Sequence, residues 1–242
     1  MKKREWALFL IGVIFLWQCS SWVVNNPFIL PSPFDVFLQM IQQCQEPVFI
    51  KSIIFTILRV FFSLFLSFIF ALLCVFVFFK HSKARSYFEK LLLIVRSIPN
   101  VTWILLLLFW LQREAVVTMV SFLLLFPMIY ENLKISLIRI FDTYKDVILT
   151  NLHPFFPLCL HVYLPLMKDS IQASLISASS MGFKVGIMAE ILAQVSVGLG
   201  KQIQWSHLNA ELASMIAWTI WLLLCAFIFD SIFRYCLKKI FD

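Results

Sequence analysis

Two stretches of this chain, residues 6–34 and 60–79, contain no Asp, Glu, Lys or Arg and are mainly apolar. A helix needs about 20 residues to cross the roughly 30 Å hydrocarbon core of a membrane. Hydrophobic residues make up 62% of the 242 positions and charged residues 14%, against about half and a quarter in soluble domains. The runs therefore predict membrane spans. Because polar and apolar residues do not alternate along them, helices are expected and not barrel strands.

The apolar pattern predicts about six spanning helices, at residues 6–24, 53–79, 91–111, 115–135, 170–195 and 212–233. The first follows a basic start, as a signal peptide would. Residues 19–22, Cys-Ser-Ser-Trp, are a poor cleavage site, so an uncleaved first helix is expected. The predicted fold is an all-α integral membrane protein that forms a single domain over residues 1–242.

Basic residues collect in four clusters at alternate ends of these predicted spans. They are Lys2, Lys3 and Arg4; Lys80, Lys83, Arg85 and Lys90; Lys134, Arg139, Lys145 and Lys168; and Arg234, Lys238 and Lys239. By the positive-inside rule, both termini are predicted to be cytoplasmic. The polar interruption at residues 131–169 then lies in the cytoplasm, where it is a candidate contact surface for a partner. The net charge of +7 suits anionic lipid head groups, so membrane lipid is an expected partner and nucleic acid is not.

Residues 147–167 contain no charged side chain and could suggest a further span. Pro154, Pro157 and Pro165 would break such a helix repeatedly in lipid. A seventh span would also place the basic carboxyl terminus outside. We expect instead a short helix near residues 143–152, followed by an apolar stretch at 155–167 that packs beneath the spans.

Signatures of enzymes, metals and cofactors are missing from the sequence. The six cysteines have no C-x-x-C spacing, and the four histidines have no metal-ligand spacing. The only Gly-Lys pair, Gly200-Lys201, is followed by Gln202, so no P-loop is present. No catalytic activity, metal or cofactor is predicted. If the protein moves a solute uphill, the energy comes from another polypeptide or from an ion gradient.

The fifth predicted helix carries a row of small residues that ends in an acid. The row consists of Ser174, Ala178, Gly182 and Gly186, and Glu190 continues it. One interpretation is a tightly packed helix with Glu190 near its outer end; the other is a pathway or dimer-interface helix whose acid has a partner. Lys184 lies about 120° around the helix from Glu190, so the two cannot pair along one face. Arg59 and Asp230 lie near helix ends, where snorkelling to the head groups is expected.

Short motifs along nearly the whole chain resemble the permease subunits of bacterial ABC importers that serve nitrate, sulfonates, taurine and vitamin precursors. They are residues 29–33 (ILPSP), 56–60 (TILRV), 96–99 (RSIP) with Trp103 and Trp110, 164–165 (LP), 184–190 (KVGIMAE), 198–200 (GLG) and Asp230. The resemblance implies a type I importer permease in a bacterial cytoplasmic membrane. Two copies would form the pore, a separate cytoplasmic ATPase would drive it, and an extracytoplasmic binding protein would deliver the solute.

In that family, a cytoplasmic coupling loop contacts the ATPase. Its motif is Glu-Ala-Ala, then Gly, and an ending of Ile or Val, any residue, Leu and Pro. Counting back from Leu164 and Pro165 gives the remaining positions: Asp146 stands at the Glu, Val147 and Ile148 near the alanines, and Leu152 at the Gly. The resemblance implies that these residues form the ATPase contact, with an acid retained and the small residues replaced.

The expected function is an importer permease that passes a small solute, resembling a sulfonate, nitrate or a vitamin precursor. An alternative is an ion-coupled secondary transporter in which Glu190 and Lys184 carry the coupling. Such folds usually show internal repeats, and the halves of this sequence show no convincing self-similarity. An intramembrane enzyme would need a nucleophile or metal set within the spans, and none is evident.

Overall fold

A computed structural model describes residues 3–150 and 155–241. Its elements are α1 (Lys3–Val24), α2 (Pro33–Gln45), α3 (Pro47–Phe79), α4 (Ser82–Ser97), α5 (Asn100–Leu107), α6 (Arg113–Thr150), α7 (Phe155–Leu158), the π-helix π1 (Cys159–Tyr163), α8 (Leu164–Leu166), α9 (Lys168–Ala193), α10 (Leu199–Leu208) and α11 (Leu212–Phe241). No strand occurs among the described residues. The predicted all-α class is confirmed for them.

Four helices, α3, α6, α9 and α11, are long and apolar enough to cross a membrane. The bent pair of α4 and α5 brings the number to five if it counts as one span. The helix α1 covers 22 residues, and its continuous described apolar part covers residues 11–24. The chain is therefore a multi-pass membrane protein, with four or five spans among its described residues where the sequence predicts about six.

The third predicted span, at residues 91–111, is broken. The axes of α4 and α5 differ by 91° across the break, and Ile98 there is extended, with φ −80° and ψ 128°. The cause is Pro99, whose ring disfavours helical geometry in the residue before it. The Trp103 indole N–H donates to the Val95 carbonyl across the bend at 3.2 Å. This contact holds the two helices at their angle.

The fourth predicted span continues far beyond residue 135, since α6 extends to Thr150. Its helical geometry is interrupted at Tyr144, with φ −110° and ψ 16°. A short helical piece therefore follows Tyr144, at the place where the sequence predicts one. The predicted apolar stretch at 155–167 is also helical, in the three short pieces α7, π1 and α8. None of the four long spans falls in it.

The chain divides into two compact units: residues 1–56 with 194–225, and residues 57–193 with 226–242. In the first unit, the Gln43 side chain donates to the backbone and hydroxyl oxygens of Ser214, each at 3.1 Å. The Thr56 hydroxyl accepts a hydrogen bond from the Leu199 backbone N–H at 2.9 Å. Phe49 packs edge-on against Trp221 at a ring separation of 5.0 Å. Buried polar contacts thus join α2 to α11 and α3 to α10, and an aromatic contact joins α3 to α11.

In the second unit, α3 and α6 run parallel to each other and antiparallel to α9. At one end, Arg59 of α3 pairs with Glu114 in the first turn of α6 and with Glu190 near the end of α9. At the other end, the Phe79 ring lies 5.3 Å from Phe141 of α6 and 5.7 Å from Tyr163, just before α9. We call the end that carries Lys80, Lys134 and Lys168 the basic end.

The core of the second unit is centred on α6. This helix buries one side chain per turn, Leu125, Ile129, Leu133 and Leu137, all at most 1% exposed. They cluster with Leu64, Ala71 and Val75 of α3 and with Ile171, Leu175 and Ala178 of α9. Apolar packing against α6 therefore fixes the positions of the two helices that carry the candidate site.

Candidate functional site

A buried cluster of three charged side chains joins α3, α6 and α9 at the end opposite the basic end. Arg59 Nη1 lies 2.5 Å from Glu190 Oε1, and the Arg59 guanidinium also donates to Glu114. The Glu190 side chain is 1% exposed, that of Arg59 10% and that of Glu114 42%. An ionised group buried this deeply is stable only with a hydrogen-bonded partner of opposite charge. Arg59 supplies that charge. The sequence predicts that Arg59 snorkels to the head groups, whereas its guanidinium is buried between two carboxylates.

Each of the three helices has a charged residue at the level of the Arg59 cluster and another on it, or directly after it, at the basic end, and the separations are similar. On α3, Arg59 precedes Lys80 by 21 residues; on α6, Glu114 precedes Lys134 by 20; on α9, Lys168 precedes Glu190 by 22. At 1.5 Å per residue, these separations are about 30–33 Å, which matches the roughly 30 Å hydrocarbon core. The Arg59 cluster and the basic end are therefore as far apart as the two boundaries of a membrane core.

A second group of ion pairs lies at the basic end. Lys134 Nζ lies 2.8 Å from Glu131 and 3.1 Å from Glu89 of α4. Arg85 approaches Glu89 at 4.0 Å. All four side chains are partly exposed, so each pair contributes little to stability. The Lys134–Glu89 pair is the one of the three that connects α4 to α6.

The row of small residues on α9 is buried against α3 and α6. Ser174, Ala178, Gly182, Gly186 and Glu190 are all buried. A Cβ atom added at Gly182 would lie 3.3 Å from Val60 and 3.4 Å from Leu125, and one at Gly186 would lie 3.2 Å from Val60. The absence of side chains there lets α9 approach α3 closely. This places Glu190 next to Arg59.

The exposed face of α9 is mixed in polarity. Ser177, Ser180 and Lys184 are its exposed polar residues, and Ala173 and Met181 are exposed apolar ones. We call Ala173, Ser177, Ser180 and Lys184, which follow one another at steps of three and four residues, the polar stripe. The exposed face of α3 contrasts with it, since it carries Phe62, Phe65 and Ile69. Aromatic and aliphatic side chains suit lipid, whereas an ammonium group within the core requires water or a counter-charge. As the sequence predicts, Lys184 is not on the same face as Glu190.

At the basic end, the polar stripe borders a polar groove of about 260 Å³ between α6 and α9. Asn132, Ser136 and Arg139 of α6 line one side, and Ser170 and Ser177 of α9 line the other. The lining offers hydroxyl, amide and guanidinium groups but no carboxylate. Such a surface can hydrogen-bond a polar solute and favours negative over positive charge.

The residues predicted for the coupling loop are only partly described. Asp146 is exposed on the helical piece that follows Tyr144. Val147 and Ile148 belong to α6, but their side chains lie outside the described part, and Leu152 lies outside the described residues altogether. In α8, Leu164 is half-buried and Pro165 is exposed.

The apolar run before α9 is anchored in the core of the second unit. Cys159, Tyr163 and Met167 recur every four residues and are at most 5% exposed. His161, on the other side of π1, is exposed, and its Nδ1 lies 3.0 Å from the Pro157 carbonyl. The described face of residues 159–167 that carries Cys159, Tyr163 and Met167 is therefore packed beneath the end of α3.

Two parts of this site cannot be identified from the sequence. Glu114 lies in a short connection between predicted spans, and only the folded chain shows that it shares Arg59 with Glu190. The polar groove combines residues more than 30 positions apart, on α6 and α9. A periodic count of Ser and Lys along the fifth span could have found the polar stripe.

Comparison of the sequence with protein-family models and with curated proteins finds no match. The structural features of the molecule are therefore the basis for a functional proposal. It is a multi-pass helical membrane protein with a buried ion cluster at one boundary and a polar face on one span. Among residues 3–150 and 155–241, no three His, Cys, Asp or Glu side chains are placed to hold a metal ion.

Proposed function

We propose that this chain is the permease subunit of an ATP-driven importer and passes a small solute along the polar stripe of α9. The observation that carries the proposal is Lys184, an exposed cation on a spanning helix. Lys184 is six residues from Glu190 and 16 from Lys168, or about 9 Å and 24 Å along the helix. It therefore lies well inside the membrane core.

The position of Lys184 is costly if α9 faces lipid. A lysine at the centre of a spanning helix costs about 2.5–3.5 kcal/mol on insertion scales, and the cost at Lys184, about 9 Å from the level of Glu190, is a part of that. A water-filled pathway removes that cost, as does a second copy of the chain that presents an opposite charge. Ser180 and Ser177 continue the hydrophilic surface from Lys184 toward the polar groove. Together, stripe and groove form one wall of a path from the membrane interior to the basic end.

Solute class follows from the charge of this wall. Its charged side chains are Lys184 and Arg139, both cations. A path lined by hydroxyls and two cations favours a small anion or a polar organic solute, in keeping with the sulfonate, nitrate and vitamin-precursor cargo of the importers that the sequence resembles. A separate binding protein would deliver the solute, and two copies of the chain would enclose the path.

Coupling to a separate ATPase is proposed at the basic end, which the positive-inside rule assigns to the cytoplasm of a bacterial cell. Asp146 is exposed beyond the break at Tyr144. The apolar run that holds Cys159, Tyr163 and Met167 in the core connects this piece to α9. Movement of the loop by nucleotide-driven closure would thus reach α9 through packed side chains and rock it between outward and inward access.

Cysteine accessibility tests whether the polar stripe faces water. Ser180 and Ile69 are each ten residues from the Arg59–Glu190 level on their own helices, and both are exposed. In a background without the native cysteines, we expect Ser180→Cys to react with a charged methanethiosulfonate in intact membranes and Ile69→Cys to remain unmodified. Equal protection of the two sites would mean that the stripe faces lipid or a dry interface, and the proposed path would be wrong.

Copurification tests the energy source. A tagged chain isolated from its own cells is expected to retain a P-loop ATPase, and proteoliposomes of the complex should take up solute only with ATP. The alternative, an ion-coupled secondary transporter, is favoured by one observation, the two carboxylates that share Arg59 at a membrane boundary. Uptake by the chain alone under a proton or sodium gradient, with no ATPase retained, would establish that alternative.

A further inference from the structure

A second cavity of the structure lies on the outer surface of the second unit, away from the polar groove. It has a volume of about 480 Å³ and lies between the last turns of α3 and the segment formed by π1 and α8. This volume is within the about 300–1,000 Å³ of sites that hold small molecules. We call it the apolar groove.

The lining of the apolar groove changes character along its length. Seven of its nine lining side chains are apolar, among them Leu73, Phe76 and Val77 of α3 and Leu160 of π1. The other two, Lys80 and His81, lie together at the end of α3. No carboxylate lines it. The lining therefore suits a molecule with a long apolar part and a negatively charged end.

The depth of the groove is that of the upper part of one lipid leaflet. Its lining on α3 begins at Leu72 and ends at Lys80 and His81, a distance of about 12 Å along the helix axis. Lys80 stands at one membrane boundary, 21 residues from Arg59 at the other. The apolar side chains thus lie at the level of acyl chains, and the basic side chains at the level of phosphates.

We propose that the apolar groove binds one anionic phospholipid. An acyl chain lies against Leu73, Phe76 and Val77, and the phosphate and head group lie beside Lys80 and His81. Lys80 lines the groove and no carboxylate does, so the local potential favours a negative over a zwitterionic head group. A water-soluble solute of the proposed pathway does not fit, because this lining offers almost no hydrogen-bonding group.

The site has a structural consequence. One wall belongs to α3, and the other belongs to the packed segment that leads into α9. A lipid seated there contacts both elements and adds apolar burial between them. The proposal does not rest on the transport function, since lipid binding is expected whichever solute the protein moves.

Native mass spectrometry of the delipidated full-length chain in mild detergent tests this. Phosphatidylglycerol and phosphatidylcholine with identical acyl chains would be titrated separately. We expect one phosphatidylglycerol adduct that survives collisional activation sufficient to remove phosphatidylcholine. Lys80→Ala should weaken phosphatidylglycerol binding about fivefold, the effect of one basic residue near the head groups, and leave phosphatidylcholine binding unchanged.

Two matched controls distinguish lipid binding in the apolar groove from general attraction of lipid to the protein surface. Lys83→Ala removes an exposed lysine that does not line the groove, so it should change binding less than twofold. Leu73→Trp fills the groove and should weaken both lipids, whereas Leu66→Trp, at a similarly exposed site two turns away on α3, should weaken neither.

Three results would overturn the proposal. The first is equal retention of the two lipids by the unaltered chain. The second is an equal loss from Lys80→Ala and Lys83→Ala, which would indicate diffuse attraction to a basic surface. The third is a loss of dimer without a change in lipid binding in the Leu73→Trp variant. This result would mean that a second copy of the chain occupies the groove.

Discussion

Replacement of Arg59 by leucine is the most informative perturbation of this molecule. It removes the guanidinium that lies 2.5 Å from Glu190, whose side chain is 1% exposed. The carboxylates of Glu190 and Glu114, which both pair with Arg59, are then left without the cation that they share. Breaking a buried pair by removing one partner costs about 3–5 kcal/mol, because the remaining charge is still buried. For a chain of about this length, that loss lowers Tm by about 6–20 °C.

Two other substitutions should lower stability much less, because the side chains that they remove are more exposed. Glu114→Gln removes a charge whose side chain is 42% exposed, so we expect about 1 kcal/mol or less. Arg234→Leu removes an arginine that pairs with Asp230 at 2.7 Å but is 53% exposed. It serves as the matched control for the loss of an arginine, again with an expected cost of about 1 kcal/mol or less.

The double variant Arg59→Leu with Glu190→Leu distinguishes the loss of a contact from the burial of a charge. Replacing both members of a buried pair by apolar side chains is often neutral or stabilising. We therefore expect the double variant to be more stable than Arg59→Leu alone. Thermal unfolding of the purified protein in detergent, followed by tryptophan fluorescence, measures all four variants.

Two outcomes would contradict this reasoning. A double variant less stable than Arg59→Leu would mean that Glu190 is not left as an uncompensated charge. If Glu114→Gln lowers thermal stability as much as Arg59→Leu does, the exposed Glu114 carboxylate, and not the buried Glu190, contributes most to the stability of the cluster.

Three further predictions follow from single sites. Gly182→Leu should lower stability by about 1–3 kcal/mol through overpacking against Val60, whereas Gly12→Leu, with nothing within 4 Å of its Cβ position, should change thermal unfolding little. Asp146→Arg should abolish ATPase copurification and ATP-driven uptake without preventing membrane insertion; Asp142→Arg, before the break at Tyr144, is the control, and equal uptake by both would refute the contact. Burial raises the pKa of the Cys159 thiol to about 11, so its thiolate fraction at pH 8 is about 0.001. Alkylation of Cys159 by maleimide should therefore be at least about 100-fold slower than that of an ordinary thiol, and its rate should rise about tenfold per pH unit. A timed maleimide pulse followed by site-resolved mass spectrometry measures this rate.

The long spans could be predicted because their apolar runs exceed the membrane thickness. The sequence predicts a straight span at residues 91–111, where composition is mainly apolar, whereas the helix axes there turn by 91° at the break before Asn100. Hydrophobic composition alone does not predict such a bend. A proline rule applied to Ile98 would have found it.

The helix α2 was missed although its start is marked locally. Ser32 and Asp35 form a capping box, in which each side chain accepts a hydrogen bond from the other residue's backbone N–H, and Pro33 opens the helix. A search limited to spans passes over this thirteen-residue helix. The end of α6 was missed for the opposite reason. Charged residues beyond residue 135 were read as a loop, yet buried Leu137 continues the packed face of the helix.

At the level of Lys184, the row of small residues and the polar stripe lie on opposite faces of α9. Lys184 is two residues from both Gly182 and Gly186, or about 160–200° around the axis at 100° per residue. Close packing of the two glycines against Val60 therefore determines where Lys184 points. The same packing sets Glu190 beside Arg59, so burial of the ion cluster and outward presentation of the stripe depend on one contact. A larger side chain at Gly182 should consequently weaken the Arg59–Glu190 pair and rotate Ser180 away from the path, which ties the stability of the protein to access along α9.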